Sequence, residues 1–209
     1  RSVSVGYADV EAAIERREWQ AVSADVKDDR GRPAAAVALS LTTRSLDGEP
    51  RAAAGTLSMH ALVQPDGVDR GDVLGGPAVP QPKPFGTVRK ARAASGAARP
   101  TPKPADPDTW ELGAEVFTRA VATEAATGTA EILATVPPGI YRAVFTIPGA
   151  GDVPDVRSES TITVIDPAAD RYPVKVPFAV AAEEDAVESG RTFTAVVGTG
   201  YDRGRALVE

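Results

Sequence analysis

Apolar side chains recur at every second position in run after run of this 209-residue sequence. In AAVALSLTTR, Val37, Leu39 and Leu41 share one parity, and Ala38, Ser40 and Thr42 the other. In GTLSMHALV, Leu57, Met59, Ala61 and Val63 line up; in GIYRAVFTI, so do Tyr141, Ala143, Phe145 and Ile147. STITVID repeats the pattern with Ile162 and Val164, TWELGAEVF with Trp110, Leu112, Ala114 and Val116, and TFTAVV with Phe193, Ala195 and Val197. A strand sends successive side chains to opposite faces, whereas a helix needs a period of 3.6. Each run therefore predicts a strand with one face buried, in an antiparallel sheet.

The connectors carry turn chemistry: Asp28-Asp29-Arg30-Gly31, Asp47-Gly48, Pro137-Pro138-Gly139 and Asp202-Arg203-Gly204. Only residues 9–19, DVEAAIERREW, are open to a helical reading. Val10, Ala12, Ile14 and Trp19 fit a strand at least as well. Short strands between turns, with no helical crossovers, predict an all-β antiparallel β-sandwich.

From Gln64 to Asp108 the rhythm breaks. Nine of the 18 prolines fall there, without alternation, which predicts a long extended or disordered surface excursion. A boundary is expected near Asp166-Pro167-Ala168-Ala169-Asp170. Beyond it, YPVKVPF has the proline spacing of an edge or linker strand. The organisation expected is one nearly complete sandwich over 8–166, with its insertion at 64–108, and the start of a second over 167–209. Arg1 to Tyr7 read as the last strand of a preceding domain.

The glycines of VVGTGYDRGRALVE, residues 196–209, invite comparison with a phosphate-binding loop. Such a loop needs a helix after the glycines and an acidic residue about 20 positions on. Neither follows, so the stretch reads as a hairpin whose returning strand begins at Ala206.

Several motifs, in order, resemble one family. DVKDDRGRPAAAVALSLTTR, with Asp28-x-x-Gly31-x-Pro33 between strands, is similar to the macroglobulin-type β-sandwich domain. TVPPGIYRAVF resembles that domain's Pro-x-Gly-x-Tyr start of a late strand. AVAAEEDAVESGRTFTAVV, with Ser189-Gly190 before a strand, resembles the opening of the next such domain. The runs Asp106–Gly113 and Gly198–Ala206 resemble large bacterial members of the alpha-2-macroglobulin family. The resemblance implies an extracytoplasmic (periplasmic, cell-surface or secreted) multidomain protein of serial macroglobulin or fibronectin III-like sandwiches. Its members trap proteases that cut an exposed bait segment. Many carry a Cys-Gly-Glu-Gln thioester, which a sequence with no cysteine does not contain.

Residue chemistry adds little beyond this. Without cysteine there is no disulfide, thiolate metal site or cysteine nucleophile. A net charge of −6 and one short basic run do not ask for nucleic acid, and no apolar stretch approaches the ~20 residues of a membrane span. His60, the single histidine, is expected on the outer face of its strand, without a catalytic partner. Asp25, Asp28 and Asp29, like Glu183, Glu184 and Asp185, read as solvated turn carboxylates rather than calcium ligands, which must converge six to eight oxygens. Neither a metal nor a cofactor is expected, nor an enzyme. Tyr141 suits a tyrosine corner.

The excursion is the segment most open to function. Arg89, Lys90, Arg92, Arg99 and Lys103 stand among small residues and prolines, where trypsin-like proteases reach a chain. The segment reads either as a bait-like or contact loop or, the favoured reading, as a tolerated surface insertion at a sandwich edge. The expected partners are neighbouring domains of the same polypeptide and, through the parent protein, target proteases. The alternative is an adhesin or carbohydrate-binding sandwich, which calls for exposed aromatics. Only 5% of residues are aromatic, and Tyr141, Phe145 and Phe193 follow the inward pattern.

Overall fold

The computed structural model describes residues 10–16, 19–68, 103–182 and 187–203. Two sheets face each other. Strand β4 (Pro33–Arg44) is the axis of the first: it pairs antiparallel with β1 (Glu11–Arg16), β3 (Ser23–Lys27) and β7 (Thr129–Val136). The second sheet runs β2 (Trp19–Ala21), β9 (Val156–Ile165), β8 (Gly139–Ile147), β5 (Ala54–Leu62), β6 (Leu112–Ala122). The fold is the all-β sandwich that the alternation predicts, and within residues 9–19 the described Glu11–Arg16 and Trp19 are strand, not helix.

One pairing departs from the antiparallel expectation. The chain leaves the first sheet after β1, joins the second as β2, and returns as β3. In between, Trp19, Gln20 and Ala21 pair parallel with Thr163, Val164 and Ile165. A sandwich gains from such a crossing because the first strand then closes an edge of each sheet.

The core is built from the expected parities. Val37, Leu39, Leu41, Leu57, Met59, Ala143, Phe145, Ile162 and Val164 are essentially inaccessible, with Val136 and Ala134 of β7 opposite them. At ~25 cal/mol per Å2 of apolar surface removed from water, the Val, Leu, Ile, Met and Phe side chains among these each contribute about 1.5–3 kcal/mol. Turn glycines stand where φ must be positive: Gly31 at 73° and Gly48 at 83°.

Tyr141 makes the corner foreseen for it. Its hydroxyl donates to the Pro137 carbonyl, four residues upstream, at 2.8 Å. Burial pushes its pKa up to about 12, outweighing the lowering by the Arg32 charge, while the Asp28 charge adds to the rise.

Three expectations fail. Residues 171–178 hold no strand; the next one, β10 (Ala179–Ala182), pairs with β11 (Ala195–Gly198) as a separate two-stranded sheet. Prolines at 173 and 177 interrupt the donor series a ladder needs, which is why YPVKVPF stays irregular. Phe193 does not point inward but is 51% exposed, and its parity mate Val197 is 45% exposed. The hairpin seats Ala181 and Gly198 instead; Gly198 lies so close to the Tyr172 ring that a Cβ would meet it at 2.4 Å. Third, Ala114 and Val116 do not share the burial of Trp110. The β5–β6 ladder slips between Met59 and His60 and again between His60 and Leu62, so Phe117 takes the place beside Met59.

Candidate functional site

The excursion is anchored at both ends. At its neck, the Val63 amide donates to the Glu111 carbonyl at 2.9 Å. The returning limb is not extended but folds into a short 3-10 helix, Pro107–Thr109, capped by Asp106, whose side chain accepts from the Asp108 amide. The proline at its first position fits the helix start, where an amide would lack a partner in any case. The expectation of an excursion without local structure from 64 to 108 is therefore corrected for these residues.

Lys103 is part of this fold. Its carbonyl accepts from the Asp106 amide at 3.0 Å and the Trp110 indole at 3.1 Å, and its amide donates to Thr109 Oγ1 at 2.7 Å. Of the basic residues singled out as protease-accessible, it is the only one in the described segments; Arg89, Lys90, Arg92 and Arg99 lie outside them. Glu183, Glu184 and Asp185, Arg1 to Tyr7 and the returning strand from Ala206 likewise lie outside the described residues.

Arg142 holds the returning limb to the outer face of the second sheet. Its guanidinium donates from Nε to Thr161 Oγ1 at 3.0 Å, from Nη1 to Glu159 at 3.2 Å and from Nη2 to the Pro107 carbonyl at 2.9 Å. Thr161 passes the connection on to Asp108 at 2.7 Å. A planar fork with five donors suits this three-way bridge as a lysine would not. His60 lies on the same outer face, as the alternation places it, opposite Arg142 in the ladder. It contacts Ser58 Oγ at 3.1 Å and stands 4.0 Å from Glu115.

Beside this bridge lies a second apolar cluster. Ile140 is one residue out of phase with the core parity of β8, and Leu62 is out of phase in β5. Both, with Trp110, are covered by Val174 and Val176 of the segment after the sandwich. Polar contacts rim the seam. Gln64 Nε2 donates to the Pro173 carbonyl at 3.0 Å, and its Oε1 accepts from the Lys175 amide at 2.8 Å. Lys175 Nζ donates to the Asp66 carbonyl at 2.9 Å, and the Trp19 indole to the Ala182 carbonyl at 2.9 Å. Residues 173–182 thus lie along the sandwich, held by this cluster and its polar rim.

These residues were not singled out from the sequence, although one signal was present. GIYRAVFTI carries apolar residues at both parities, Ile140 and Val144 as well as Tyr141, Ala143 and Phe145, which marks a strand covered on two sides.

The acidic turn at Asp28 is a self-contained cap. Asp28 Oδ1 accepts from the amides of Arg30 and Arg32, each at 2.9 Å, and Oδ2 from Arg32 Nε at 2.8 Å. The Arg32 bonds, backbone first, hold its pKa below the usual carboxylate value. Among the described residues no group of three or more His, Asp or Glu stands close enough to hold a metal ion, and no helix is long and apolar enough to cross a membrane. A groove of about 580 Å3 is lined by residues from 165–175 and from 196–203, and the exposed Arg171–Asp202 pair stands at it at 3.2 Å. No protein-family model matches the sequence, and no curated protein aligns with it significantly.

Proposed function

We propose that this chain is a non-catalytic structural module of a large, extracytoplasmic, alpha-2-macroglobulin-like protein of the bacterial type, one that traps proteases. The observation that carries the modular part is the seam. The sandwich has a second apolar cluster on its outside, and the following segment covers it with Val174 and Val176. A free-standing sandwich gains nothing from apolar residues on an outer face, whereas a link in a series needs them to hold its neighbour. The trapping part draws on the family resemblance and on the position of the basic residues Arg89, Lys90, Arg92 and Arg99 within the long excursion.

The test uses the parent polypeptide, treated with several proteases of unrelated specificity. Cuts are mapped by mass spectrometry and shape is followed by small-angle scattering. Cleavage within 69–102, followed by compaction and retention of the protease, supports a trap. Cleavage there with no change of shape leaves a structural spacer and removes the inhibitor reading.

A second reading, a carbohydrate-binding or adhesin module, is favoured by one observation: Phe178 and Phe193 are 64% and 51% exposed. Aromatic faces stack on sugars. However, Val180, two residues on, is also exposed and pairs with Val197. A face of aliphatic residues resembles an unfilled core more than a sugar platform. Titration with a panel of glycans decides, since saturable binding lost in Phe178→Ala would revive this reading.

A further inference from the structure

The backbone from Pro173 to Pro177 belongs to no sheet, so its polar groups need partners outside a ladder. The Val176 amide bonds the Val174 carbonyl at 2.9 Å, and the Val176 carbonyl accepts from the Gly200 amide at 2.8 Å. Thr199 Oγ1 donates to the Pro177 carbonyl at 2.8 Å. The Pro173 carbonyl and the Lys175 amide face the first sandwich, and Gln64 satisfies both with one side-chain amide, which stands in for a peptide unit of a missing strand. Asp66, two residues further on, receives Lys175 Nζ. Gln64 and Asp66 are the first residues of the excursion, just past the neck that Val63 and Glu111 close.

From this we infer that the departing limb of the excursion, Gln64–Asp66, is a latch that fixes the orientation of the segment 173–182 against the first sandwich. The excursion and the joint are then one coupled unit. A displacement of the limb releases the joint, and a displacement of the joint releases the limb to the same degree, because coupling between two sites is reciprocal. The returning limb meets the joint only by apolar packing, through Trp110 beside Val174 and Val176. Its polar contacts run through Arg142 to Pro107 and through Thr161 to Asp108, inside the first sandwich. The inference rests on these contacts alone and stands or falls apart from the protease-trap reading.

Both directions are tested on the full chain. In Gln64→Ala, hydrogen exchange at the Lys175 and Gly200 amides is expected to accelerate about tenfold or more, while β4, β5 and β8 stay protected. In the reverse direction, Gly200→Ala places a Cβ 2.6 Å from Lys175 Cα and 2.7 Å from the Val174 carbonyl oxygen, which forces the strip outward. An endoprotease that cuts on the N-terminal side of aspartate is then expected to cleave before Asp66 about tenfold faster than in the parent chain. Exchange in Gln64→Ala equal to that of the parent chain overturns the latch. Loosening at Lys175 without faster cleavage before Asp66 in Gly200→Ala overturns the coupling. A Thr161→Val variant serves as the control, since it deletes the returning limb's bond to Asp108 and is expected to leave Lys175 exchange unchanged; acceleration there would place the latch elsewhere.

Discussion

Thr43, at the end of β4, and Thr123, just past β6, join the two sheets through their hydroxyls, 2.6 Å apart and closed to solvent. The pair sits in a small polar knot. The Thr43 hydroxyl also bonds the Arg51 carbonyl, and Thr123 Oγ1 accepts from the Ala53 amide at 2.9 Å. Every member of such a knot must be satisfied, because a buried polar group left alone keeps its full desolvation cost. Thr43→Val and Thr123→Val are each expected to destabilise the sandwich by about 1–3 kcal/mol. The double variant should cost less than their sum, with a coupling of about 1 kcal/mol, read from urea denaturation of the four chains. Additive costs would show that the hydroxyls act independently.

Tyr141 makes stability fall with alkali. Its folded pKa is raised to about 12, above its ordinary value of 10.0, so the unfolded chain releases the proton first. The contribution is complete below pH ~10 and is lost as pH climbs through ~12. Tyr172, also raised by burial, acts in the same direction. Tyr141→Phe should remove the bond to Pro137 at a cost of about 1 kcal/mol at neutral pH and flatten the loss between pH ~10 and ~12. Thermal melts across that range check both signs.

Arg142→Met keeps the aliphatic stem but deletes the bridge to Pro107, Thr161 and Glu159. A loss of about 1.5–3 kcal/mol is expected for charge-assisted bonds of this burial. The indole of Trp110, bonded to Lys103, should then become accessible to acrylamide quenching, while Trp19 should not change. Quenching that stays the same would mean that the 3-10 helix holds its place without the arginine.

Trypsin distinguishes among the basic residues of the excursion. The Lys103 carbonyl is held by Asp106 and Trp110, and the next residue is a proline, so cleavage after Lys103 is expected to be at least about tenfold slower than after Arg89, Lys90 or Arg92. After such a cut, the two fragments should elute together under native conditions, because β5 and β6 on either side of the excursion remain paired from Ala54 to Ala122. Separation of the fragments would show that the covalent link through the excursion holds the sheet.

The sandwich itself was legible in the alternation, because a period of two is imposed by burying one face, and Val37, Leu39, Leu41, Leu57, Met59 and Phe145 all lie where that period puts them. The turn at Gly31 and the Tyr141 corner were legible as well, since a turn glycine and a tyrosine act over a few residues. Asp28 was not: the expected solvated carboxylate has a side chain only 9% exposed and bonded to Arg30 and Arg32. The seam was not. Gln64 reaches Lys175 across a separation of 111 residues, and nothing local distinguishes a glutamine that replaces a strand from one in solvent. The register of β6 was also hidden, since its two slips against β5 are set by the neighbouring strand rather than by its own composition. Phe193 was misplaced for a related reason: alternation shows that two faces differ, but which one is covered depends on what stands opposite.

The crossing of the first strand from one sheet to the other has a mechanical side. Trp19 to Ala21 run parallel to Thr163 to Ile165, and the Val22 amide adds a bond to the Ile165 carbonyl at 2.8 Å. Tension applied before β2 and after β9 pulls these two strands in opposite directions along their length. The bonds between them then bear the force together, in shear, instead of parting one by one as a hairpin unzips. Single-molecule pulling is expected to show one abrupt rupture of this patch, and Val22→Pro, which deletes the Ile165 bond, should lower the rupture force. Strained along this line, the sandwich would therefore hold until the whole patch gives way at once.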